Sequence, residues 1–473
     1  MKTVKGTKTK QTLFTLDELI AAVGGECPFI GTVPVSAVCI DSREVEPGSL
    51  FVALPGEHTD GHRYLEDAAR RGAAALLVTR REWTERGRGL LPLLRQEGAS
   101  CVAVPDTLQA LQGLAAWHMA RLPGVFRIGI TGSSGKTTTK EILGEVLAAA
   151  APTITNEGNF NSETGVPLTA FRVDSSYTYA VFEMGINHKD EMDALSGIVR
   201  PDMALITNIG NAHVGLLGSR RNIAAEKKKI TSHFSGKQCL FIYEDDEYRE
   251  FLSRGVNGKV IPYGQKSSKG LLGIEDLGLD GTIINWEELR IRFPLFGKHN
   301  YINALAAIAV ARELGLDKQA VKHGLERVRP LFGRSEITRG KVTLIKDYYN
   351  ASPDSMAKVL EFLHNLGWQG RKIAVLGSML ELGGTSRRSH TKLGRLAVNM
   401  GLHAVFFLGD EMHEAFAEAG REAGRAAGHT RLVWKASVPE LAPLLQEYVR
   451  EGDIVLIKGS RAMELERLVT AAG

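Results

Sequence analysis

The run IGITGSSGKTTTKE, Ile128 to Glu141, passes from apolar residues through two glycines to Lys-Thr-Thr. It reads as a strand, a phosphate loop and a helix. Gly132 and Gly135 permit a tight turn that aims the backbone N–H groups around Ser133 and Ser134 inward, and the following helix presents its positive end to an anion. Lys136 would then reach the terminal phosphates of a nucleotide, and the Thr137 hydroxyl, with Thr138 beside it, would face a magnesium ion. Ile130 occupies the place of the first glycine in G-x-x-x-x-G-K-[ST], so this is a shortened form, G-x-x-G-K-T-T. A plain glycine-rich turn before a helix is the competing reading. Lys-Thr-Thr in register after an apolar strand favours ATP.

Other polar residues stand where an α/β sheet places ligands, at strand ends. The strand Tyr179–Gly185 ends in Glu183-Met184-Gly185, and Met203–Gly210 runs into Asn211-Ala212-His213. Singly, such residues are ordinarily structural; as a pair at neighbouring strand ends, Glu183 and His213 suit a metal. Between the phosphate loop and these strands lies NEGNFNSETGVPLTA, dense in amides, where Asn159 and Asn161 suit a polar ligand. Farther on, IAAEKKKI at Ile223–Ile230 reads as a helix carrying Lys227, Lys228 and Lys229. Successive helical residues diverge by about 100°, so at most one or two of these lysines face a site. His299, Asn300 and Asn303 open an alanine-rich helix, where amides serve either as caps or as ligand contacts. Asp41-Ser42-Arg43, with Gly61-His62, offers groups for a diphosphate or sugar, or else an ordinary surface ion pair with a capping serine.

The elements that must position these residues fall into three blocks, expected at 1–123, 124–329 and 330–473. The first opens with a helix at Leu16–Val23 and mixes strands (Ala74–Val78, Cys101–Val104) with turns at Pro47-Gly48, Pro55-Gly56 and Asp60-Gly61 and a helix at Asp106–Arg121. Leu122-Pro123-Gly124 and Val328-Arg329-Pro330 read as the linkers. The last block alternates strands (Lys341–Asp347, Lys372–Gly377, Ala404–Leu408, Asp453–Lys458) with helices (Ser352–Leu366, His390–Asn399, Met412–Gly424, Pro439–Val449, Ala462–Val469). The fold class is α/β: a small α/β N-terminal domain, a central parallel-sheet domain of the P-loop ATPase kind, and a C-terminal Rossmann-like domain. No G-x-G-x-x-G follows the first strand of the third domain, which disfavours a dinucleotide.

Composition sets the outer limits. A length of 473 residues suits about three domains. Charged residues of both signs are interspersed, with a net charge of +4, which does not suggest a nucleic-acid binder. The cysteines Cys27, Cys39, Cys101 and Cys239 lack C-x-x-C spacing, so a reducing compartment is expected and zinc is not. Four lysines in the first ten residues precede no apolar core of a signal peptide, and no apolar run reaches spanning length. The expectation is a cytoplasmic enzyme with a flexible basic tail and no membrane span.

In their order, the shortened phosphate loop, NFN…GVPL, E-M-G, TNIGNAH, GKHNYINALAA, FGR, YNASPDSM, LGSMLELG and KGSR resemble the Mur ligases, ATP-dependent enzymes of bacterial cell-wall precursor synthesis. The resemblance covers nearly the whole chain. YNASPDSM followed by LGSMLELG is similar to the branch that adds D-alanyl-D-alanine to UDP-N-acetylmuramoyl tripeptide, and the D-N-P-R of the branch adding the third residue is absent. It implies that ATP phosphorylates the tripeptide carboxylate and that the dipeptide amine attacks the acyl phosphate. It also implies two Mg²⁺ ions, one on Thr137 and Glu183, the other on His213 and on a carbamylated lysine at Lys227. Asn300 and Asn303 would hold adenine, Arg334, Asp347 and Asn350 the phosphate, ribose or base, and Ser42, Arg43, Asn159 and Asn161 the UDP-linked precursor. A monomer is the expected state. Lys346, Tyr348 and Ser378 depart from the family pattern. The alternatives are the neighbouring ligase that adds one amino acid to the dipeptide precursor, and an idle nucleotide-binding sensor. Lys136, Thr137, Glu183 and His213 occurring together speak against the sensor.

Overall fold

A computed structural model describes residues 12–472, except 33, 57–58 and 427–429. The basic stretch expected as a tail, residues 1–10, lies outside the described residues. The chain divides into two compact units, one from Met1–Arg127, Ile154–Met184 and Asp193–Arg200, the other from Ile128–Thr153, Gly185–Met192 and Pro201–Gly473.

The first unit holds a five-stranded sheet in the order Glu26–Phe29, Ser100–Val104, Ala75–Thr79, Ser49–Val52, Ala37–Cys39. Only the Glu26–Phe29 pairing is antiparallel. Its middle strands are continuous apolar runs because helices cover both faces of a parallel sheet. Ser49–Val52 and Ser100–Val104 are buried at every residue. Leu16–Val23 forms the expected helix, held at its start by a capping box between Thr15 and Glu18. A second helix, Arg80–Glu97, has no counterpart among the sequence-based expectations: RREWTERGRG is almost wholly polar, and only Gly87, Leu90 and Leu94 are buried. Its caps are of readable types, with Thr79 accepting the Glu82 N–H and Gly98 in the left-handed conformation. Tyr179–Glu183, also in this unit, ends its strand at Glu183 itself.

In the second unit the strands Lys259–Tyr263, Cys239–Tyr243, Met203–Ile206 and Ile128–Thr131 lie side by side and parallel. The helix Lys136–Ala148 starts at the end of the last of these and packs against Lys298–Glu313 and Lys318–Arg327. Gly324 makes that second contact possible, since a Cβ there would fall 2.4 Å from the Val146 Cα. A three-stranded antiparallel sheet is formed by Leu271–Asp276, Thr282–Trp286 and Leu289–Phe293.

The same unit contains a six-stranded sheet ordered Glu336–Thr338, Thr343–Lys346, Ile454–Lys458, Lys372–Gly377, Ala404–Leu408, Arg431–Lys435. All pairings but the first are parallel. The period-two alternation of strands sorts the core in two. Ala374, Leu376, Val405 and Phe407 join the helix Pro353–Asn365 through Met356 and Leu360, while Ile373, Val375, Phe406 and Leu408 join Leu441 and Leu445 on the other face. The expected helix at Ala462–Val469 is corrected to two 3-10 turns, Arg461–Met463 and Leu465–Leu468, followed by the short helix Val469–Ala472. Glu464, at φ +48°, breaks the helical path there.

Candidate nucleotide and metal site

The strand Phe126–Thr131 delivers the chain to Gly132, whose φ of +148° and close approach to Thr207 both exclude a side chain: a Cβ would lie 1.8 Å from Thr207 Oγ1. Gly135, at φ +80°, precedes the helix, and a Cβ on it would meet Asn303 Oδ1 at 3.0 Å. The loop between is braced from one side. Thr207 Oγ1 donates to the Ser134 carbonyl (2.6 Å), the Ser134 N–H donates to Asn208 Oδ1 (3.2 Å), and Asn208 Nδ2 returns a bond to the Ser134 carbonyl (2.9 Å). Ser133 Oγ accepts the Gly210 N–H at 2.8 Å. Lys136 folds back over the loop, its ammonium donating to the Gly132 carbonyl at 2.9 Å. Thr137 is buried and Thr138 half-buried in the first turn behind it. Thr207 and Asn208, which carry much of this bracing, belong to TNIGNAH, yet sequence reasoning gives neither a role of its own. Their type is the signal, since amide and hydroxyl side chains beside a glycine loop can satisfy its backbone groups.

Asn303, beside Gly135, and Asn300 sit in the first turns of Lys298–Glu313 and are buried. The Asn300 amide nitrogen already has two acceptors, the Phe296 carbonyl at 2.8 Å and Ser335 Oγ at 3.2 Å. The Arg334 guanidinium lies over the Tyr349 ring, 4.0 Å from its centroid. Asp347 accepts the Lys458 ammonium at 2.7 Å, and the same ammonium donates to the Asn350 carbonyl at 3.0 Å. Asn350 turns its side-chain oxygen to the Ala351 N–H. Lys458, from KGSR, is therefore the residue that ties Asp347 to Asn350. Burial drives the His299 imidazole down to about 4, against the opposing pull of the Asp347 carboxylate. Of the family departures, Lys346 pairs with Glu336 at 3.0 Å and Ser378 is fully buried.

The three lysines separate cleanly. Lys229 pairs with Asp190 (2.5 Å) and Glu226 (2.7 Å); Lys228 donates to the Phe251 and Arg254 carbonyls. Lys227 alone of the three is fully buried. His213, at φ +62°, caps the short helix Val214–Leu217, and its Nδ1 lies 3.3 Å from Glu381 Oε2.

In the first unit, Glu183 is 1% exposed and its two carboxylate oxygens are differently placed. Oε1 accepts the Asn161 Nδ2 at 2.7 Å, whereas Oε2 is buried with no hydrogen-bond partner among the described residues. Asn156 holds the backbone of Glu183 at both ends, accepting its N–H at 2.8 Å and donating to its carbonyl at 3.0 Å. Asn159 is exposed. Near the N-terminal turn, Ser42 is buried, while Arg43 is exposed and paired with Asp41 at 2.6 Å, which holds that carboxyl at about 2. The cap of that turn is Asp41 rather than Ser42. His62 is structural: its Nε2 accepts the Thr79 N–H at 3.1 Å, so its Nδ1–H donates to Asp60 at 2.7 Å. Glu183 falls in one unit and His213 in the other. Among the described residues, no three His, Cys, Asp or Glu side chains group closely enough to bind a metal by themselves. No helix among them is long and apolar enough to cross a membrane.

Three family models match in succession: "Mur ligase family, catalytic domain" at residues 34–118, "Mur ligase middle domain" at 130–311 and "Mur ligase, glutamate ligase domain" at 333–461. The UDP-N-acetylmuramoyl-tripeptide--D-alanyl-D-alanine ligase of Treponema pallidum is 41% identical over 461 residues, 96% of this chain and 98% of its own. A crystal structure of MurF from Acinetobacter baumannii matches with a TM-score of 0.86 at 29% identity, covering 97% and 98% of the two chains. That of the Thermotoga maritima MurF ligase in complex with ADP matches at 0.78 and 26% identity, covering 92% and 96%. The three-domain α/β architecture is shared along almost the entire length, and the chain belongs to the Mur ligase family.

Proposed function

We propose that this chain is an ATP-dependent amide ligase that joins D-alanyl-D-alanine to UDP-N-acetylmuramoyl tripeptide in the making of peptidoglycan precursor. The observation that carries it is identity of 41% over 96% of the chain to a ligase of that name. In its support stands a phosphate loop braced by Thr207 and Asn208 and opening on a helix N-terminus. Residues 1–123 would hold the UDP-linked precursor, 124–329 the triphosphate, and 330–473 the rest of the nucleotide.

The reaction forms an acyl phosphate from the tripeptide carboxylate and the γ-phosphoryl group, releasing ADP. The dipeptide amine then displaces phosphate from the acyl carbon. Both steps gather negative charge at one place, and catalysis rests on neutralising and orienting it. Lys136, released from the Gly132 carbonyl, would follow the γ-phosphoryl oxygens, and the backbone N–H groups of Gly135 to Thr138 would meet the β-phosphate. Asn303, against Gly135, and Asn300 would bound the adenine, with Arg334, Asp347 and Asn350 completing the nucleotide site from the last domain. Arg43, Ser42 and Asn159 would face the precursor.

Mg²⁺ would supply charge compensation between the phosphate and carboxylate oxygens. The residues fit such an ion: the buried Glu183 Oε2 without a hydrogen-bond partner among the described residues is an oxygen acceptor in want of a cation. The resemblance to the family assigns Thr137 and Glu183 to one ion, and His213 with a carbamylated Lys227 to the second. Carbamylation requires the neutral amine, a state of a few molecules in about ten thousand for an ordinary lysine at pH 7. Of the three consecutive lysines, Lys227 is the fully buried one, which makes it the candidate for that modification.

The test is phosphate release from ATP and Mg²⁺ with UDP-muramoyl tripeptides ending in lysine or in diaminopimelate, with and without D-alanyl-D-alanine. Release that requires both substrates, with a pentapeptide product by mass, is expected. Turnover with the dipeptide precursor and a single amino acid instead would overturn it.

A further inference from the structure

Asp354 stands in the first turn of Pro353–Asn365, but its carboxylate is not the cap of that helix. Ser352 and Ser355 satisfy the helix start through a reciprocal cap. Asp354 Oδ2 instead accepts the backbone N–H of Asn211 at 3.0 Å, and the Asn211 amide nitrogen stands 3.4 Å from Oδ1. The residue before Asn211 is Gly210, whose own N–H donates to Ser133 Oγ in the phosphate loop at 2.8 Å. Gly210 is wedged between the two: a Cβ on it would lie 2.3 Å from Asp354 Oδ2 and 3.3 Å from the Ser133 Cβ. Two residues earlier, Asn208 makes its paired bonds to Ser134. Asp354, Asn211, Gly210 and Ser133 thus form one continuous chain of contacts.

We infer that Asp354 is a positioning residue for the phosphate loop, acting through the 208–211 segment rather than on substrate. The inference rests on the ligase reading only for its consequence in turnover; the clasp itself is a property of the chain. A carboxylate accepting a backbone N–H forms a charge-assisted bond, stronger than one from a neutral acceptor. It fixes the Asn211 backbone, and thereby the direction of the Gly210 N–H and the rotamer of Ser133. Asp354 comes from a helix that follows Arg334, Asp347 and Asn350 in sequence, so the same stretch of chain that contributes these residues also sets the shape of the phosphate loop. Gly210 is required by this packing and not by its backbone angle, as it has no positive φ.

The experiment is amide hydrogen exchange over 207–213 in the full-length, nucleotide-free protein, with ADP affinity measured by calorimetry in parallel. Asp354→Ala is expected to speed exchange at Gly210 and Asn211 by about tenfold or more and to weaken ADP by a similar factor, with exchange in Ala75–Thr79 unchanged. Asp354→Asn keeps an acceptor oxygen and is expected to restore part of both, which a general loss of folding would not do. Exchange at 207–213 equal to that of the parent in Asp354→Ala overturns the clasp. Faster exchange with unaltered ADP affinity overturns its bearing on the phosphate loop. Neither readout requires turnover, so both stand even if the protein fails to ligate the substrates named above.

Discussion

Lys458 Nζ lies 2.7 Å from Asp347 Oδ2 while its side chain is only 3% exposed, so a buried cation is tied to a carboxylate that is itself four-fifths covered. The ammonium spends a further bond on the Asn350 carbonyl. Deleting one partner of such a pair leaves the other with desolvation and no compensation. Lys458→Met is expected to destabilise by about 3 kcal/mol, since among the described residues the Asp347 carboxylate would keep the long Ser335 N–H bond at 3.4 Å. Asp347→Asn in the same background should recover part of the loss. A double-mutant cycle by chemical denaturation reads this, and additive effects would refute the coupling.

Gly135 provides a second prediction. Its φ of +80° is costly for any residue with a Cβ, by about 1–2 kcal/mol, and the added methyl would also press on Asn303 Oδ1 at 3.0 Å. Gly135→Ala is expected to weaken ADP binding by about tenfold or more, an effect of about 1.4 kcal/mol. Asn303→Ala would relieve the contact but not the backbone strain. Titration calorimetry on the single and double variants separates the two, and normal affinity in Gly135→Ala would contradict the loop geometry.

The phosphate loop is legible in the sequence because glycine and lysine spacing encodes a local backbone path, and the last domain because its strands are continuous apolar runs between amphipathic helices. Ala404–Leu408 and Lys372–Gly377 lie at the residues their apolar runs predict. Arg80–Glu97 escapes a periodicity reading because its buried stripe is three residues wide, and Arg431–Lys435 because an edge strand need bury little and is buried at none of its residues. The bracing of the loop by Asn208, the Lys458 bridge and the reach of Asp354 to Asn211 are tertiary pairings of residues far apart in sequence. No local pattern encodes them. The identity of the lysine that points inward is equally hidden in KKK, where burial distinguishes Lys227 from its ion-paired and carbonyl-bound neighbours.

Asn161, expected from the sequence at the precursor, donates its amide to Glu183 Oε1 at 2.7 Å. It thereby fixes which carboxylate oxygen is left for a cation, the part usually played by groups just behind a metal ligand. Asn161→Ala is expected to weaken Mn²⁺ binding to the nucleotide-loaded protein by about tenfold, read by electron paramagnetic resonance. Asn161→Asp should be worse, because a second carboxylate would replace a donor with a like charge. Unchanged Mn²⁺ affinity in Asn161→Ala would show that the hydrogen bond does not orient Glu183 toward a metal.

The pH dependence of stability carries a sign that follows from His299. Burial holds its folded form down at about 4, with Lys358 and Lys458 adding to the depression and Asp347 opposing it. The unfolded chain takes up the same proton near the ordinary value of about 6.5. Between those limits the unfolded state binds more protons than the folded one, so stability rises with pH and is lost as pH falls from about 6.5 through 4. His118 and His390, also pushed down by burial, contribute in the same direction. A carboxylate held low, such as Asp41 at about 2, acts mainly below this window. His299→Gln removes one titrating group without removing a polar side chain. The expected outcome is a shallower fall of the urea midpoint between pH 7 and pH 5 than in the parent, with the two proteins converging as pH drops. An identical slope in both would mean that His299 is solvated enough to titrate normally, and that the packing around the start of Lys298–Glu313 is looser than its contacts imply.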